Sequence, residues 1–341
     1  MTPSTIREVA KRAGVSVSTA SRVLNDYPFV SADARRRVLE AMDELDYRPD
    51  VAARSMRTGT SRAVGFVVAD ISNPLFAMIA KGVDAVLHPH GYSLVLANSE
   101  NDPGREAELL SALRQRRVDG LIAAVADESA PSLASRLEEF ATVLFDRDIP
   151  GSTADAVCSD HETGICETLE RLAGLGHSRI ALVAGSQHQL GSRARAVAFA
   201  RHARRLSLSV DGTMLLADEA SRETGAHLGR ELLALAEPPT AVVIGHNQLT
   251  IGVLEALREK GVRIPADLSV ISCDDVDAIR LHSPRIDVVE RDLLELGGAA
   301  ARLLLERLDD PDASPRRVAL PTHYVCREST AAPRVASGML A

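Results

Sequence analysis

Val17, Ser18, Ser21, Arg22 and Asn25 crowd the stretch GVSVSTASRVLND, where a surface helix would ordinarily carry Glu or Lys. Small hydroxylated side chains on an outward face can bond phosphate oxygens, and a guanidinium can reach guanine O6 and N7 in a bidentate pair. Bulky acids at those positions would instead meet phosphates. A second set of reactive residues lies far along the chain. Ser72, Asn73 and Phe76 follow AVGFVVAD, Asp146 and Arg147 close TVLFDR, and Arg195 lies in SRARAVAF. Asn247 follows TAVVIG, and Asp274 and Asp275 close LSVISCDD. An Arg opposite an Asp or Asn across a dry cleft can hold the hydroxyls or carboxylate of a small polar ligand, and Phe76 can cover an apolar sugar face.

The first set needs a short helical unit to present it. Thr5 is placed to cap an amphipathic run of Ile6, Val9, Ala10 and Ala13, and Gly14 supplies the positive φ of a tight turn. Ser16 can cap a second helix with Ala20, Val23 and Leu24 inward. This is the pattern of a helix-turn-helix, whose second helix enters the DNA major groove. Taken alone, it also fits a solvated helix in a small bundle. A third helix is expected from the Ser31 cap, with Val38, Leu39, Met42 and Leu45 as its inner stripe and Pro49 as its stop. The Arg-bearing segment DVAARSMRTGTSR then reads as a linker that becomes helical only against a partner.

The second set needs strand ends. From residue 63, AVGFVVAD, YSLVLANS, DGLIAAV and TVLFDR alternate with helical stretches, and RIALVAG, TAVVIG and LSVISCDD form a second series. This βα alternation implies two doubly wound parallel sheets with helices on both faces. Ligands of such sheets bind at the carboxyl ends of the strands, so two facing lobes would make a cleft. DVVERDLLELGGAAARLLLERL is expected to return the chain from the second lobe to the first, giving discontinuous domains.

Composition sets the outer limits. At 341 residues the chain is too long for one core, and 45% hydrophobic with 25% charged residues is ordinary for a globular protein. With 3% aromatics and no Trp, its cores must be built from Ala, Leu and Val. The net charge of −8 hides an asymmetry: residues 1–60 carry ten basic and eight acidic residues, while the remainder carries 29 against 39. Counterion release acts through local charge, so a basic tip on an acidic body remains compatible with nucleic acid. No apolar run approaches membrane length and no signal-peptide core is present, so the cytoplasm is the expected location. Cys158, Cys166, Cys273 and Cys326 show no metal-ligand spacing and read as reduced thiols.

TIREVAKRAGVSVSTASRVLN, VSADARRRVLEAMDELDYRPD and VAARSM, in this order, resemble the headpiece of a lactose-repressor-family (LacI/GalR) transcription regulator, and the likeness runs on through nearly the whole chain. It implies a helix-turn-helix headpiece (1–48), a hinge helix formed on DNA (49–61) and a two-lobed body like the periplasmic binding proteins. The lobes would span 62–160 with about 291–325, and 161–290, followed by a tail (326–341). By this resemblance Val17, Ser18 and Arg22 are base-reading residues. Thr5, Ser16, Thr19, Ser21, Asn25, Ser31 and Tyr47 fall on phosphate or supporting positions. Met56, where relatives usually have Leu, is the wedge inserted between base pairs; Ala53 permits close approach to the minor groove and Arg57 is placed to enter it. Asp50 stands where many relatives have Asn. Asn73, Phe76, Arg195, Asn247 and Asp274 correspond to effector-pocket residues, joined by Arg147 from its strand-end position, and Asp160 to a switch position near the lobe interface. Ala198 and His246 replace the usual Gly and Asn.

The expected function is a sequence-specific regulator, a repressor, that binds a pseudo-palindromic operator in double-stranded DNA as a homodimer. A small effector, a sugar or sugar derivative, would tune it, with no cofactor, metal or membrane partner. The tail has no heptad repeat to make a tetramer. A cytoplasmic sugar-binding protein without DNA function and a corepressor-dependent regulator answering a non-sugar ligand remain as alternatives. An enzyme acting on a sugar is a third class, but GxGxxG after a strand, GxxxxGK[ST], HExxH and GxSxG are all missing from the sequence.

Overall fold

The computed structural model describes residues 4–24, 27–47, 59–130, 132–209, 214–217 and 219–334. Asn25, Asp50, Ala53, Met56 and Arg57, and with them the expected hinge helix, lie outside the described residues. The chain divides into two units, residues 1–61 and 62–341.

The first unit holds three helices, α1 (Ile6–Ala13), α2 (Val17–Leu24) and α3 (Ala32–Glu44). Thr5 caps α1 in a reciprocal arrangement with Glu8, and Gly14 ends it in the left-handed region at φ 63°. Val9, Ala10, Ala13, Ala20, Val23, Val38 and Ala41 form the core, with Met42, Leu45 and Tyr47 packed on its margin. One expectation fails. Leu39 is 49% exposed, because the inner face of α3 runs through Ala34, Val38 and Ala41, and Leu39 lies about 100° round the helix from Val38.

The second unit contains two six-stranded sheets. The first comprises β1 (Ala63–Val68), β2 (Ser93–Asn98), β3 (Gly120–Ala123), β4 (Ala141–Phe145), β5 (Asp155–Ser159) and β11 (Arg317–Leu320), in the order β11-β5-β4-β3-β1-β2. The second comprises β6 (Ile180–Ala184), β7 (Met214–Leu216), β8 (Ala241–Ile244), β9 (Ser269–Cys273), β10 (Asp287–Glu290) and β12 (His323–Val325), in the order β12-β10-β9-β8-β6-β7. Each sheet is thus a doubly wound 2-1-3-4-5 unit with one edge strand added by the C-terminal segment. Among the described strands every pairing is parallel except β10 with β12, so the second sheet is mixed at its edge.

The chain passes between lobes three times: after β5, between β10 and a helix at Leu293–Asp309, and between β11 and β12. Asp287–Glu290 lies in the second sheet, and the chain returns to the first lobe through the helix Leu293–Asp309. The sequence places the segment to about 325 in the first lobe, yet His323–Val325 pairs with β10, which has a free edge that accepts it. Residues beyond 325 are also tied down: Ser329 Oγ donates to Val270 O and Arg327 N donates to Asp287.

Close helix pairs brace both lobes. The helix at Pro74–Leu87 (α4) meets Leu293–Asp309, where a Cβ on Gly82 or Gly297 would run into the Leu294 or Ile79 carbonyl. In the other lobe, Arg222–Ala234 meets Asn247–Glu259, with Gly225 and Gly252 equally crowded by backbone. Among the described residues no helix is long and apolar enough to cross a membrane, and no group of three His, Cys, Asp or Glu could hold a metal ion.

Candidate functional site

The reading surface of the first unit is built by the turn before α2. Ser16 Oγ accepts from Thr19 N at 3.1 Å and lies 2.9 Å from Ser18 Oγ and 2.8 Å from Thr19 Oγ1. Three hydroxyls therefore cluster at the positive end of a helix, where phosphate oxygens are favoured. Val17 is 45% exposed, Ser18 and Arg22 are exposed, and Ser21 is half-buried. The remaining expected residues act more as supports. Thr5 is engaged with Glu8, Ser31 caps α3 by accepting from Ala34 N, and Tyr47 packs on the core. The structure adds two residues missed in the sequence. The Arg22 guanidinium lies 5.8 Å from the Tyr27 ring centre, and Tyr27 meets Phe29 edge to face at 5.9 Å, with Phe29 84% exposed. Their only sequence signal is two aromatics in DYPFV, between helices and off any apolar stripe.

Between the lobes of the second unit lies a cavity of about 400 Å³, within the range of small-molecule sites. Asn73, Phe76, Arg147 and Arg195 line it. Asn73 caps α4 by accepting from Leu75 N. It also forms a reciprocal amide pair with Asn247: Asn247 Nδ2 donates to Asn73 Oδ1 at 2.8 Å, and Asn73 Nδ2 donates to Asn247 Oδ1 at 3.3 Å. Asn247 is fully buried, so this pair ties the lobes together, and Asn247 is not among the residues lining the cavity.

Asp274 is also removed from the cavity wall, by a residue the sequence reading passed over. Arg291, at the second lobe crossing, donates through Nε to Asp274 Oδ1 at 2.6 Å and through Nη1 to Asp146 Oδ2 at 2.7 Å. Asp146 follows the fourth strand of the first sheet and Asp274 the fourth strand of the second; both take left-handed backbone, at φ 51° and 75°. The two carboxylates are thus equivalent ends of the two windings, joined by one guanidinium. Burial opposes ionisation of Asp146, but His161, Arg291 and Arg195 outweigh it and hold the carboxyl well below its usual range. Asp274 is likewise lowered, against burial, by Arg291 and Arg195. Arg291 loses stability of its charge to burial and regains more from the two carboxylates, so it stays ionised. The His161 ring, 2.9 Å from Asp146, is pushed toward its neutral form by burial.

Arg195 donates through Nη1 to Gly245 O at 2.7 Å, and Arg147 donates to Val125 O at 2.6 Å and Asp146 O at 3.0 Å. Burial lowers the Arg147 pKa. His246 caps its helix by accepting from Gln248 N, and burial drives its pKa down to about 4, leaving it neutral. Arg193 of the second lobe pairs with Glu128 of the first at 2.8 Å. Asp160 sits at the first crossing. It caps the helix His161–Gly174, its N donates to Leu320 O, and its carbonyl accepts from Thr322 Oγ1, which joins the first and third crossings.

A helix-turn-helix with a hydroxylated, arginine-bearing reading helix, carried with a two-lobed body around a polar cleft, defines a ligand-responsive DNA-binding regulator. Known proteins agree. Residues 5–50 match the bacterial regulatory proteins of the lacI family, and residues 169–330 match the periplasmic binding protein-like domain. The HTH-type transcriptional repressor PurR of Haemophilus influenzae (strain PittEE) is 33% identical over 312 residues, covering 91% of this chain and 92% of the relative. The lac repressor dimer bound to operator and the anti-inducer ONPF superposes with a TM-score of 0.86 at 25% identity, over 97% of this chain and all of that one. The transcriptional regulator CelR in complex with cellobiose superposes at 0.72 with 28% identity, over 96% and 99%. The chain belongs to the lacI family of bacterial regulatory proteins, and it is a DNA-binding transcriptional regulator.

Proposed function

We propose that the protein is a cytoplasmic repressor, without catalytic activity of its own, that binds a pseudo-palindromic operator as a homodimer and changes operator affinity when a small polar ligand fills the cleft. Val17, Ser18 and Arg22 read bases, and Ser16, Thr19, Ser21, Asn25 and the hinge residues Ala53, Met56 and Arg57 hold and deform the duplex. Thr5, Ser31 and Tyr47 support that surface. The cleft ligand is a sugar or sugar derivative contacted by Asn73, Phe76, Arg147 and Arg195, with Asn247, Asp274 and Asp160 acting on lobe closure. The domain division is a headpiece to residue 48, a hinge at 49–61, and two lobes exchanging chain at three crossings.

The observation that carries the reading is the Arg291 bridge between equivalent aspartates of the two lobes, beside a cavity of ligand size. A ligand entering beside such a bridge changes the relative free energies of open and closed lobes, and three crossings form a hinge for that motion. Support for the dimer comes from the lac repressor dimer and from exposed Met78 and Leu294 on an apolar groove of about 830 Å³ in this chain. The test is selection of random duplexes by the purified full chain. A palindromic consensus is expected; absence of any enrichment would overturn the operator reading.

A further inference from the structure

We propose that the ligand of this cleft is an anion, a polyhydroxylated small molecule bearing one carboxylate or phosphate group, and that Arg147 and Arg195 bind that group. The inference rests on the cleft being the effector site and adds a charge to its occupant.

Three guanidinium groups wall the cavity, those of Arg147, Arg195 and Arg291, each less than a tenth exposed. Two buried carboxylates, Asp146 and Asp274, stand beside them, and Arg291 binds both. Arg195 and Arg147 donate only to backbone carbonyls among the described residues. Of the other buried acids nearby, Glu128 is paired with Arg193 and Glu106 accepts from Ala126 N, and neither is bonded to Arg147 or Arg195 among the described residues. Arg147 and Arg195 are thus buried guanidiniums with no carboxylate bonded to them among the described residues, and a buried charge without a direct partner is costly.

Hydrogen-bonding capacity points the same way. A neutral sugar needs acceptors as well as donors, but the acceptors expected at this site, Asp274 and Asn247, are taken by Arg291 and Asn73. The guanidiniums of Arg147 and Arg195 on the cavity wall supply donors and no acceptor, and an oxyanion matches them. The acids that also line the cavity, Asp70, Glu100, Asp127 and Glu219, are exposed or half-exposed. Three of them are occupied, Glu100 by Arg105, Asp70 by Ser72 and Asp127 by Ser129. Hydrated and screened, they attract or repel weakly compared with the buried arginines.

The test is calorimetric titration of the DNA-free full chain with matched sets: glucose, gluconate and glucose 6-phosphate; galactose, galactonate and galactose 6-phosphate; ribose, ribonate and ribose 5-phosphate. Inorganic phosphate at constant ionic strength serves as the minimal probe. At least one charged compound is expected to bind about tenfold or more tightly than its neutral parent, and Arg147→Gln and Arg195→Gln each to weaken it by about tenfold. Which member of the set binds separates carboxylate from phosphate. Arg147→Lys, which keeps the charge, is expected to retain most of the affinity, and exposed Arg116→Gln all of it. Melting curves identify any variant that fails to fold, in which case Arg195→Gln and Arg147→Lys decide the matter. A neutral parent binding as tightly as its charged relatives, charged binding indifferent to both arginines, or no binding by any charged compound or phosphate would each overturn the proposal. Neutral-sugar binding lost in Arg195→Gln would overturn the anion while sparing the cleft as effector site. A charged compound that binds without altering operator affinity would spare the anion and defeat the regulatory reading.

Discussion

Replacing Arg291 with Met keeps the length and removes the charge, so it isolates the bridge. Asp146 would keep two donors, His161 Nε2 at 2.9 Å and Ser159 N at 3.1 Å. Asp274 would keep none to its carboxylate among the described residues, since Arg291 supplies both of its bonds, and it is only 2% exposed. Removing one partner of a buried ion pair costs about 3–5 kcal/mol. With Asp146 still served, the loss should fall near the lower end, about 3 kcal/mol at pH 7. At about 2 °C per kcal/mol for a unit of this size, the melting temperature falls by about 6 °C.

The pH dependence carries a definite sign. In the wild type both aspartates titrate below their ordinary value, so their contribution is present above about pH 4 and is lost only as pH falls through the lower folded values. In the variant, burial without Arg291 raises Asp274 above its unfolded value. Acid then protonates it in the folded state first, and the deficit relative to wild type shrinks from pH 7 toward about pH 4.5. Urea unfolding of the full chain at both pH values measures this, and Arg291→Met with Asp274→Asn should recover at least half the loss. A deficit under about 1 kcal/mol at pH 7, or one that widens in acid, would refute the reasoning.

Three other outcomes are expected. Asn247→Ala leaves Asn73 with a buried amide lacking its partner and should cost about 1–3 kcal/mol, with a double-mutant cycle against Asn73→Ala showing coupling rather than additivity. Gly252→Ala places a methyl against the Arg222 carbonyl and should lower the melting temperature, by about 1–3 kcal/mol of stability or more, without changing the headpiece. Arg22→Ala should weaken binding to the selected operator by about 1–3 kcal/mol and relax preference at one base pair, measured by anisotropy on operator and base-substituted duplexes. Equal loss on random DNA would reduce Arg22 to a phosphate contact.

What the sequence made legible follows from how local the determinants are. β1, β6 and β8 are continuous apolar runs buried on both faces, β4 and β9 are nearly so, and each is recognisable in isolation. Met214–Leu216, Arg317–Leu320 and His323–Val325 are edge strands, short and half-exposed, whose pairing is decided by a distant neighbour. Arg147 stands just after β4, and Asn73 and Phe76 follow β1, where strand-end position in a doubly wound sheet is itself the site rule, whereas Arg195 lies within the helix Leu190–Arg205. Asn247 and Asp274 were legible as to place, though their partners were not. The Asn73–Asn247 pair spans 174 residues and the Arg291–Asp146 pair 145, and no periodicity encodes such distances. Leu39 misled because an apolar residue beside an inner stripe looks like part of it until the helix phase is fixed by packing.

The central claim is that the cleft and the reading helix are energetically coupled. It is tested most directly by measuring operator affinity with and without a cleft-binding compound, and that compound's affinity with and without operator, on the same full-length preparation. Linkage requires the two ratios to be equal, and a coupling of about 1–3 kcal/mol makes each about 5–150-fold. Equal ratios in that range, abolished by Arg195→Gln, are the expected result; ratios of one for a compound that demonstrably occupies the cleft would contradict the account.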